Sequence, residues 1–198
     1  MSGSYLLSVL LFTFTMTITP GPNNLMLTAS GVNFGFARTV PHLLGIATGF
    51  ILLCSSVALG LGALFIQIPI LHTGLKIFGS VYLIWLAWKI ARAGRVQGSY
   101  QRAQPMTFWQ AALFQVVNPK AWTMAITAIS AFTLDGDDLV ASTVAVVVCF
   151  AIVALPCCSA WALLGTQIKR FLSNQRSLTI FNYSLASATA FSVLLILQ

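Results

Sequence analysis

Two proline motifs interrupt long apolar stretches, and the polar side chains beside them are the residues of this sequence best suited to binding a ligand. Proline has no backbone N–H, and its ring clashes with the carbonyl one turn earlier, so each motif predicts a helix that stops and restarts. A restarting helix points free N–H groups and the positive end of its dipole into the break, which suits a carboxylate. The residues predicted to bind a substrate are Thr19, Pro20, Gly21, Pro22, Asn23, Asn24, Gln115, Asn118, Pro119 and Lys120.

Lys120 is the cation placed deepest in an apolar stretch. It lies about 13 residues from either end of the stretch 106–133, roughly 20 Å along a helix axis. A charge at that depth is expensive in lipid, so we expect it to face a partner or a wet cavity. Two roles stay open: backbone carbonyls freed at Pro119 hold the ammonium, or the ammonium docks an anionic group of a substrate. The neighbouring amides likewise either cap the broken helices or bind the ligand.

Composition predicts where these motifs lie. Of the 198 residues, 58% are hydrophobic and 7% are charged, whereas soluble domains carry roughly 25% charged residues. Charge-free windows such as 39–75 and 139–168 exceed the roughly 20 residues that a helix needs to span a bilayer. The fold class is therefore all-α and polytopic, in a membrane. In lipid, a broken helix persists only where protein buries it or where it lines a wet cavity.

The chain is expected to form a single transmembrane domain over 1–198 with six spans, of which the first and fourth are broken. A short turn at 31–35, Pro41 and Pro69 in the first turns of the second and third spans, and an acidic turn at 135–138 separate them. Two inverted three-helix repeats, about 1–95 and about 105–198, each begin with a broken span, which is the pattern of a transporter's midplane site. The spans are roughly 5–30, 40–67, 69–90, 106–133, 139–167 and 177–197.

Basic residues alternate between loops and predict the orientation. Lys and Arg follow the first, third and fifth spans, while the other two loops have none, so both termini are expected outside. The N-terminal stretch has no basic flank or small-residue cleavage site and is expected to remain as a helix. The loop residues are Arg38, Lys89, Arg92, Arg95, Arg102, Lys169, Arg170 and Arg176, with Trp85, Trp88 and Trp109 as an aromatic belt.

Other features exclude several functions. The net charge of +7 is spread singly between spans, so no nucleic-acid surface is expected, and the acids all lie at 135–138, which argues against a cationic substrate. The four cysteines, including Cys157 and Cys158, show no metal or redox spacing, so no metal, cofactor or catalytic residue is expected.

His42 and His72 are expected near span ends in an interfacial role. Two G-x-x-x-G pairs, Gly31/Gly35 and Gly45/Gly49, predict close helix packing.

The same motifs resemble the lysine exporter/RhtB (LysE) family of amino-acid exporters. The resemblance rests on residues 19–24, the glycines 35, 45 and 49, the segment 82–89, and the segments 108–109 and 118–121. Within the family, 35–36, 85–91 and 105–109 look most like the cysteine/O-acetylserine exporter branch. The resemblance implies ATP-independent export of small amino acids across the bacterial inner membrane, against a proton gradient.

The expected function is therefore secondary-active, proton-coupled export of small neutral amino acids or derivatives by antiport. The expected partners are a zwitterionic amino acid and the lipid bilayer, and a homo-oligomer stays open. Three alternatives also stay open: export of another amino acid such as homoserine or threonine, a membrane thiol-disulfide carrier, and a non-transporting membrane factor. A thiol-disulfide carrier would need a cysteine in each broken helix, and none is near Thr19 or Asn118.

Overall fold

A computed structural model describes residues 1–93, 104–172 and 174–197, except for the side chains at 64–66, 69, 71, 72 and 195–197. Within these ranges the chain is helical and contains no strand. Arg95, Arg102 and the side chain of His72 lie outside the described parts, so the expectations for them stay predictions. The helices are α1 (Gly3–Ile18), α2 (Pro22–Phe34), α3 (Phe36–Ser56), α4 (Gly62–Gln67), α5 (Pro69–Arg92), α6 (Phe108–Val117), α7 (Pro119–Phe132), α8 (Leu139–Phe171) and α9 (Gln175–Leu197).

Four helical segments of the described chain are long and apolar enough to cross a bilayer, and a fifth appears if the bent pair α1–α2 counts as one span. The two helices of that pair meet at 57°. The predicted span 106–133 corresponds to the two short helices α6 and α7, so the count of six spans stays a prediction. The four long segments are Phe36–Leu61, Thr73–Arg92, Gly136–Phe171 and Gln175–Leu194.

The predicted turn at 31–35 is wrong in its extent. Helix α2 continues to Phe34, and the chain turns at the single residue Gly35, which has φ +82°. Glycine has no Cβ and adopts a positive φ without a steric clash, so one residue makes the corner. Helix α3 consequently begins at Phe36, and Pro41 lies inside it rather than in its first turn.

The predicted second span is also less regular than expected. A π-helical turn, Val57–Leu61, interrupts it, and Gly60 within that turn has φ +103°. Helix α5 does begin at Pro69, as predicted, because proline is tolerated at a position whose N–H has no intrahelical partner. The acidic turn is confirmed as a short 3₁₀ turn, Gly136–Asp138.

Two glycine-lined crossings hold the helices together. Helix α2 packs on α8 and helix α3 on α6. A Cβ added at Gly31 would lie 2.1 Å from the Ala162 carbonyl oxygen, and one at Gly45 would lie 2.2 Å from the Phe108 carbonyl oxygen. The predicted close packing is confirmed at Gly31, Gly45 and Gly49. It is wrong at Gly35, where an added Cβ meets nothing within 4 Å.

Helix α9 has a buried polar anchor that the sequence analysis missed. The Asn182 side chain is fully buried and exchanges two hydrogen bonds with the Asn33 amide, at 2.9 and 3.0 Å. It also donates to the Ala93 carbonyl at 2.6 Å, so α9 is tied to the ends of α2 and α5. A lone asparagine in an apolar helix is the signal that could have revealed it, because a polar group in lipid needs a partner.

Candidate functional site

The first proline motif breaks the α1–α2 pair as predicted, and side chains satisfy the carbonyls that the break frees. The Asn24 amide donates to the Thr17 and Thr19 carbonyls at 3.0 and 2.8 Å. The Trp161 indole, from α8, donates to the Ile18 carbonyl at 3.1 Å. Because lipid offers no hydrogen bonds to these groups, the bend depends on such partners.

The second motif repeats this solution between α6 and α7. Asn118 caps α7, its side chain accepting the Lys120 N–H at 3.2 Å, and Pro119 is the first helical residue. The Trp122 indole donates to the Val116 carbonyl at 2.7 Å. At the first break, Asn24 and Trp161 bond the carbonyls that end α1. At the second, Asn118 bonds an N–H that begins α7 and Trp122 bonds a carbonyl of α6, so Asn24 and Asn118 both have the capping role expected of them.

The two breaks meet, which places residues about 100 positions apart in direct contact. The Lys120 ammonium donates to the Thr19 carbonyl at 2.8 Å, the Thr19 hydroxyl at 2.9 Å and the Pro20 carbonyl at 3.2 Å. Backbone carbonyls therefore do hold this lysine, but they belong to the first break, not to Pro119. The Asn23 and Gln115 amides exchange two further hydrogen bonds across the same junction, at 2.9 and 3.2 Å.

A cavity of about 40 Å³ lies at this junction. A buried water needs roughly 10–15 Å³, so a few waters fit. The other predicted residues bond or position the residues that line the cavity. Thr19 and Pro20 accept hydrogen bonds from the Lys120 ammonium, Gln115 bonds the Asn23 amide, and Pro22 and Pro119 are the first residues of helices. The predicted residues that line it are Gly21, Asn23, Asn24, Asn118 and Lys120.

The sequence analysis missed Thr17 and Cys158, which also line this central cavity. The Thr17 hydroxyl is buried and has no hydrogen-bond partner in the part of the chain that the structure describes. An unpaired buried hydroxyl costs stability, so it is suited to bind a ligand or a water. Its position two residues before Thr19 on an apolar helix gave no periodic signal.

The charge of the central cavity is positive. Lys120 is the cation that lines it, and the three acids of the chain lie elsewhere, at 135–138. The N-cap of α2 is Gly21, which has no side chain to cap the helix, so the first N–H groups of α2 point toward this junction. An ammonium and an uncapped helix N-terminus together favour an anionic group.

The cysteines are free thiols, and the described residues contain no cluster of three metal-ligating side chains. Cys54, Cys157 and Cys158 are buried, and Cys149 is half-buried. Neither broken helix pair contains a cysteine. The cysteines nearest the junction are in α8, so a disulfide joining the two breaks cannot form.

Gly21→Ala is expected to impair transport while leaving the amount of inserted protein unchanged. The added Cβ would lie 2.8 Å from Lys120 Cδ and 3.1 Å from its Nζ, so the flexible lysine must move off its carbonyl partners. Transport in vesicles measures the effect, and Gly74→Ala is the matched control, since an added Cβ there meets nothing within 4 Å. Equal transport by the two variants would show that the position of Lys120 does not matter.

This fold and site define a helical membrane protein with a small cavity, lined mostly by apolar side chains, between two broken helices. The chain matches the LysE type translocator family over residues 14–198. Cysteine/O-acetylserine efflux proteins of Escherichia coli strain K12 and Shigella sonnei strain Ss046 are each 33% identical to it over 162 residues, which cover 80% of this chain and 81% of theirs. A third, from Escherichia coli O1:K1 / APEC, is 32% identical over the same shares. No solved structure matches the chain.

The protein belongs to the LysE type translocator family. It is therefore a membrane transporter and not an enzyme. The resemblance drawn from the two proline motifs is confirmed.

Proposed function

We propose that this protein exports small neutral amino acids or their derivatives, of the cysteine/O-acetylserine type, across the bacterial inner membrane. The observation that carries the proposal is the Lys120 ammonium, which bridges the two helix breaks beside a cavity and has no acid near it. The names of its relatives, cysteine/O-acetylserine efflux proteins, support the substrate class.

A zwitterion can replace the contacts that Lys120 now makes. The substrate carboxylate would take the ammonium of Lys120 and the uncapped N–H groups of α2. The substrate ammonium would then take the carbonyls of Thr19 and Pro20, which Lys120 releases. A cationic amino acid would bring a second positive charge that no acid of the spans could balance, so neutral substrates are favoured.

Alternating access by two inverted repeats fits the packing of the helices. Exchanging the halves turns α1–α2 into α6–α7, α3 into α8 and α5 into α9. The contacts of α1 with α8 then correspond to those of α6 with α3, and the α5–α9 and α3–α8 pairs map on themselves. Rocking of one half against the other around a fixed site is the motion expected of such repeats.

Orientation and coupling follow from charge. Basic residues at the ends of α5 and α8 predict that these ends face the cytoplasm and that both termini are periplasmic. Export by antiport against protons would have to use Lys120, His42 or the substrate's own groups, because the predicted spans contain no Asp or Glu.

Counterflow in proteoliposomes tests transport and substrate class together. Purified protein is reconstituted with unlabelled amino acid inside, and uptake of the labelled form is measured for cysteine, O-acetylserine, serine, threonine, homoserine and lysine. We expect counterflow with the small neutral compounds and none with lysine. Lysine counterflow, or none with any compound, would contradict the proposal.

A cysteine-free variant is expected to retain most of this transport. Replacing Cys54, Cys149, Cys157 and Cys158 by alanine removes every thiol, and none of these thiols has a role in the binding scheme. Counterflow of serine is the measurement, since serine cannot itself exchange thiols. Loss of transport by a variant that still inserts and remains monodisperse would favour the thiol-disulfide carrier instead.

A further inference from the structure

A second and larger cavity lies at the basic end of the helices. It measures about 510 Å³, which falls within the roughly 300–1,000 Å³ of small-molecule pockets. We call it the basic cavity. Its lining includes the polar and aromatic residues Asn33, His42, Trp88, Lys89, Arg92 and Gln110.

The charge of the basic cavity calls for an anion. Lys89 and Arg92 both line it, and the acids of the chain are all confined to 135–138, in the turn before α8. The Arg92 guanidinium lies 4.2 Å from the Trp88 ring centroid, and the Lys89 ammonium lies 4.6 Å from that of Trp85. Stacking on an aromatic face fixes a cation while the edge donors of the guanidinium stay free for a carboxylate.

His42 gives the second, independent indication of a ligand. Its side chain is 1% exposed, so the interfacial role expected from the sequence is wrong. Neither ring nitrogen has a hydrogen-bond partner among the described residues, although the residue lines the basic cavity. A buried polar group left unpaired costs about 1–3 kcal/mol, so a native site normally supplies a partner. A neutral imidazole offers one donor and one acceptor to such a partner.

Helix α3 lines both the basic cavity and the central cavity. His42 lies one turn from Ile46, about 6 Å along the axis, and Ile46 lines the central cavity. Met26 of α2 lines the basic cavity and belongs to the same buried apolar cluster as Ile46. A thin apolar layer therefore separates the two cavities.

We propose that the basic cavity is a second amino-acid site, from which the substrate passes to the central cavity. Lys89 and Arg92 hold the carboxylate at the outer part of the cavity, and His42 binds the amino group or the side chain next to the apolar layer. Passage requires Met26 and Ile46 to part. This inference rests on the proposed function, because it assigns the same substrate class to a second place on its path.

Binding stoichiometry tests the second site separately from transport. Binding of radiolabelled serine to the full-length protein is measured in nanodiscs of purely zwitterionic lipid, for wild type, Lys120→Ala and the double variant Lys89→Gln/Arg92→Gln. We expect two serines per wild-type chain and one per chain in each variant. The matched control is Lys169→Gln/Arg170→Gln, which removes two exposed cations from the same end of the molecule and should still bind two.

Transport by the same proteins distinguishes failure of the second site from failure of the proposed export. The double variant should raise the KM for serine about tenfold or more with little change in maximal rate. The reason is that the hydrogen bonds of Lys89 and Arg92 stabilise the first binding of the substrate and not its later passage. A single serine, lost in Lys120→Ala and kept in the double variant, would overturn the second site while leaving the proposed export intact. Binding of two serines without any counterflow would instead overturn export and keep the site.

A lipid headgroup offers the same anionic chemistry as a carboxylate. The binding measurement is therefore repeated in nanodiscs that contain phosphatidylglycerol. If the anionic lipid abolishes the serine that depends on Lys89 and Arg92, the cavity is a headgroup site and the proposal is wrong. Unchanged binding in both lipids supports it.

Discussion

Lys120→Ala is expected to reduce efflux at least about 30-fold while leaving membrane insertion unchanged. The ammonium makes three hydrogen bonds to Thr19 and Pro20 across the junction of the two breaks. A hydrogen bond to a charged group contributes about 1.5–3 kcal/mol, and each 1.4 kcal/mol corresponds to about a factor of ten. Efflux from loaded vesicles, normalised to inserted protein, measures the loss.

Lys76→Ala is the matched control for that variant. Lys76 is also half-buried in a long apolar helix, α5, but it makes none of the contacts at the junction. Its side chain is long enough to reach the membrane surface, so its removal should change efflux little. A normal rate for Lys120→Ala would refute the docking role, and an equal loss in both variants would indicate a general effect of removing a cation.

Gly31→Ala is expected to lower the thermal stability of the folded protein. Its added Cβ would lie 2.1 Å from the Ala162 carbonyl oxygen, and that atom cannot move without shifting α8. The approach is reciprocal, because a Cβ on Gly165 would lie 2.3 Å from the Thr28 carbonyl oxygen. Overpacking of this kind costs about 1–3 kcal/mol, or more where backbone must move.

The stability measurement is thermal inactivation of the detergent-purified protein. Gly74→Ala serves as control, since the same change in α5 meets nothing within 4 Å. Alanine is a better helix former than glycine by about 1 kcal/mol, so the control should be neutral or slightly stabilised. Equal midpoints for the two variants would mean that the α2–α8 crossing is looser than the structure has it.

Local chemistry accounts for what the sequence predicted well. Pro20 and Pro22 remove N–H groups at fixed places, so the end of α1 and the start of α2 followed from covalent structure alone. The same holds for Pro119 at the start of α7 and for Pro69 at the start of α5. The absence of charges over long windows likewise predicted an all-helical membrane protein, because the cost of burying a charge in lipid is general.

Tertiary meeting of distant segments accounts for what was missed. Which carbonyls hold Lys120 depends on how α7 lies against the first break, and residue types at 118–120 do not encode it. The Asn33–Asn182 pair and the unpaired His42 depend in the same way on neighbours far along the chain. Gly35 shows a further limit of prediction from sequence. Its spacing from Gly31 is that of two packing glycines, and the same spacing is compatible with the corner that Gly35 forms.

The central claim is that the two helix breaks meet around one site, and a cross-link tests it most directly. In the cysteine-free background, Asn23→Cys and Gln115→Cys replace two amides that lie within hydrogen-bonding distance. A protease site inserted between α5 and α6 reports whether a short bifunctional thiol reagent joins the halves in native membranes. We expect the reagent to join the halves in Asn23→Cys/Gln115→Cys, and we expect bound substrate to slow this reaction and the finished cross-link to block efflux. The control Asn23→Cys/Ser142→Cys should form no cross-link. Efficient separation of the halves in the first pair, as in the control, would contradict the central claim.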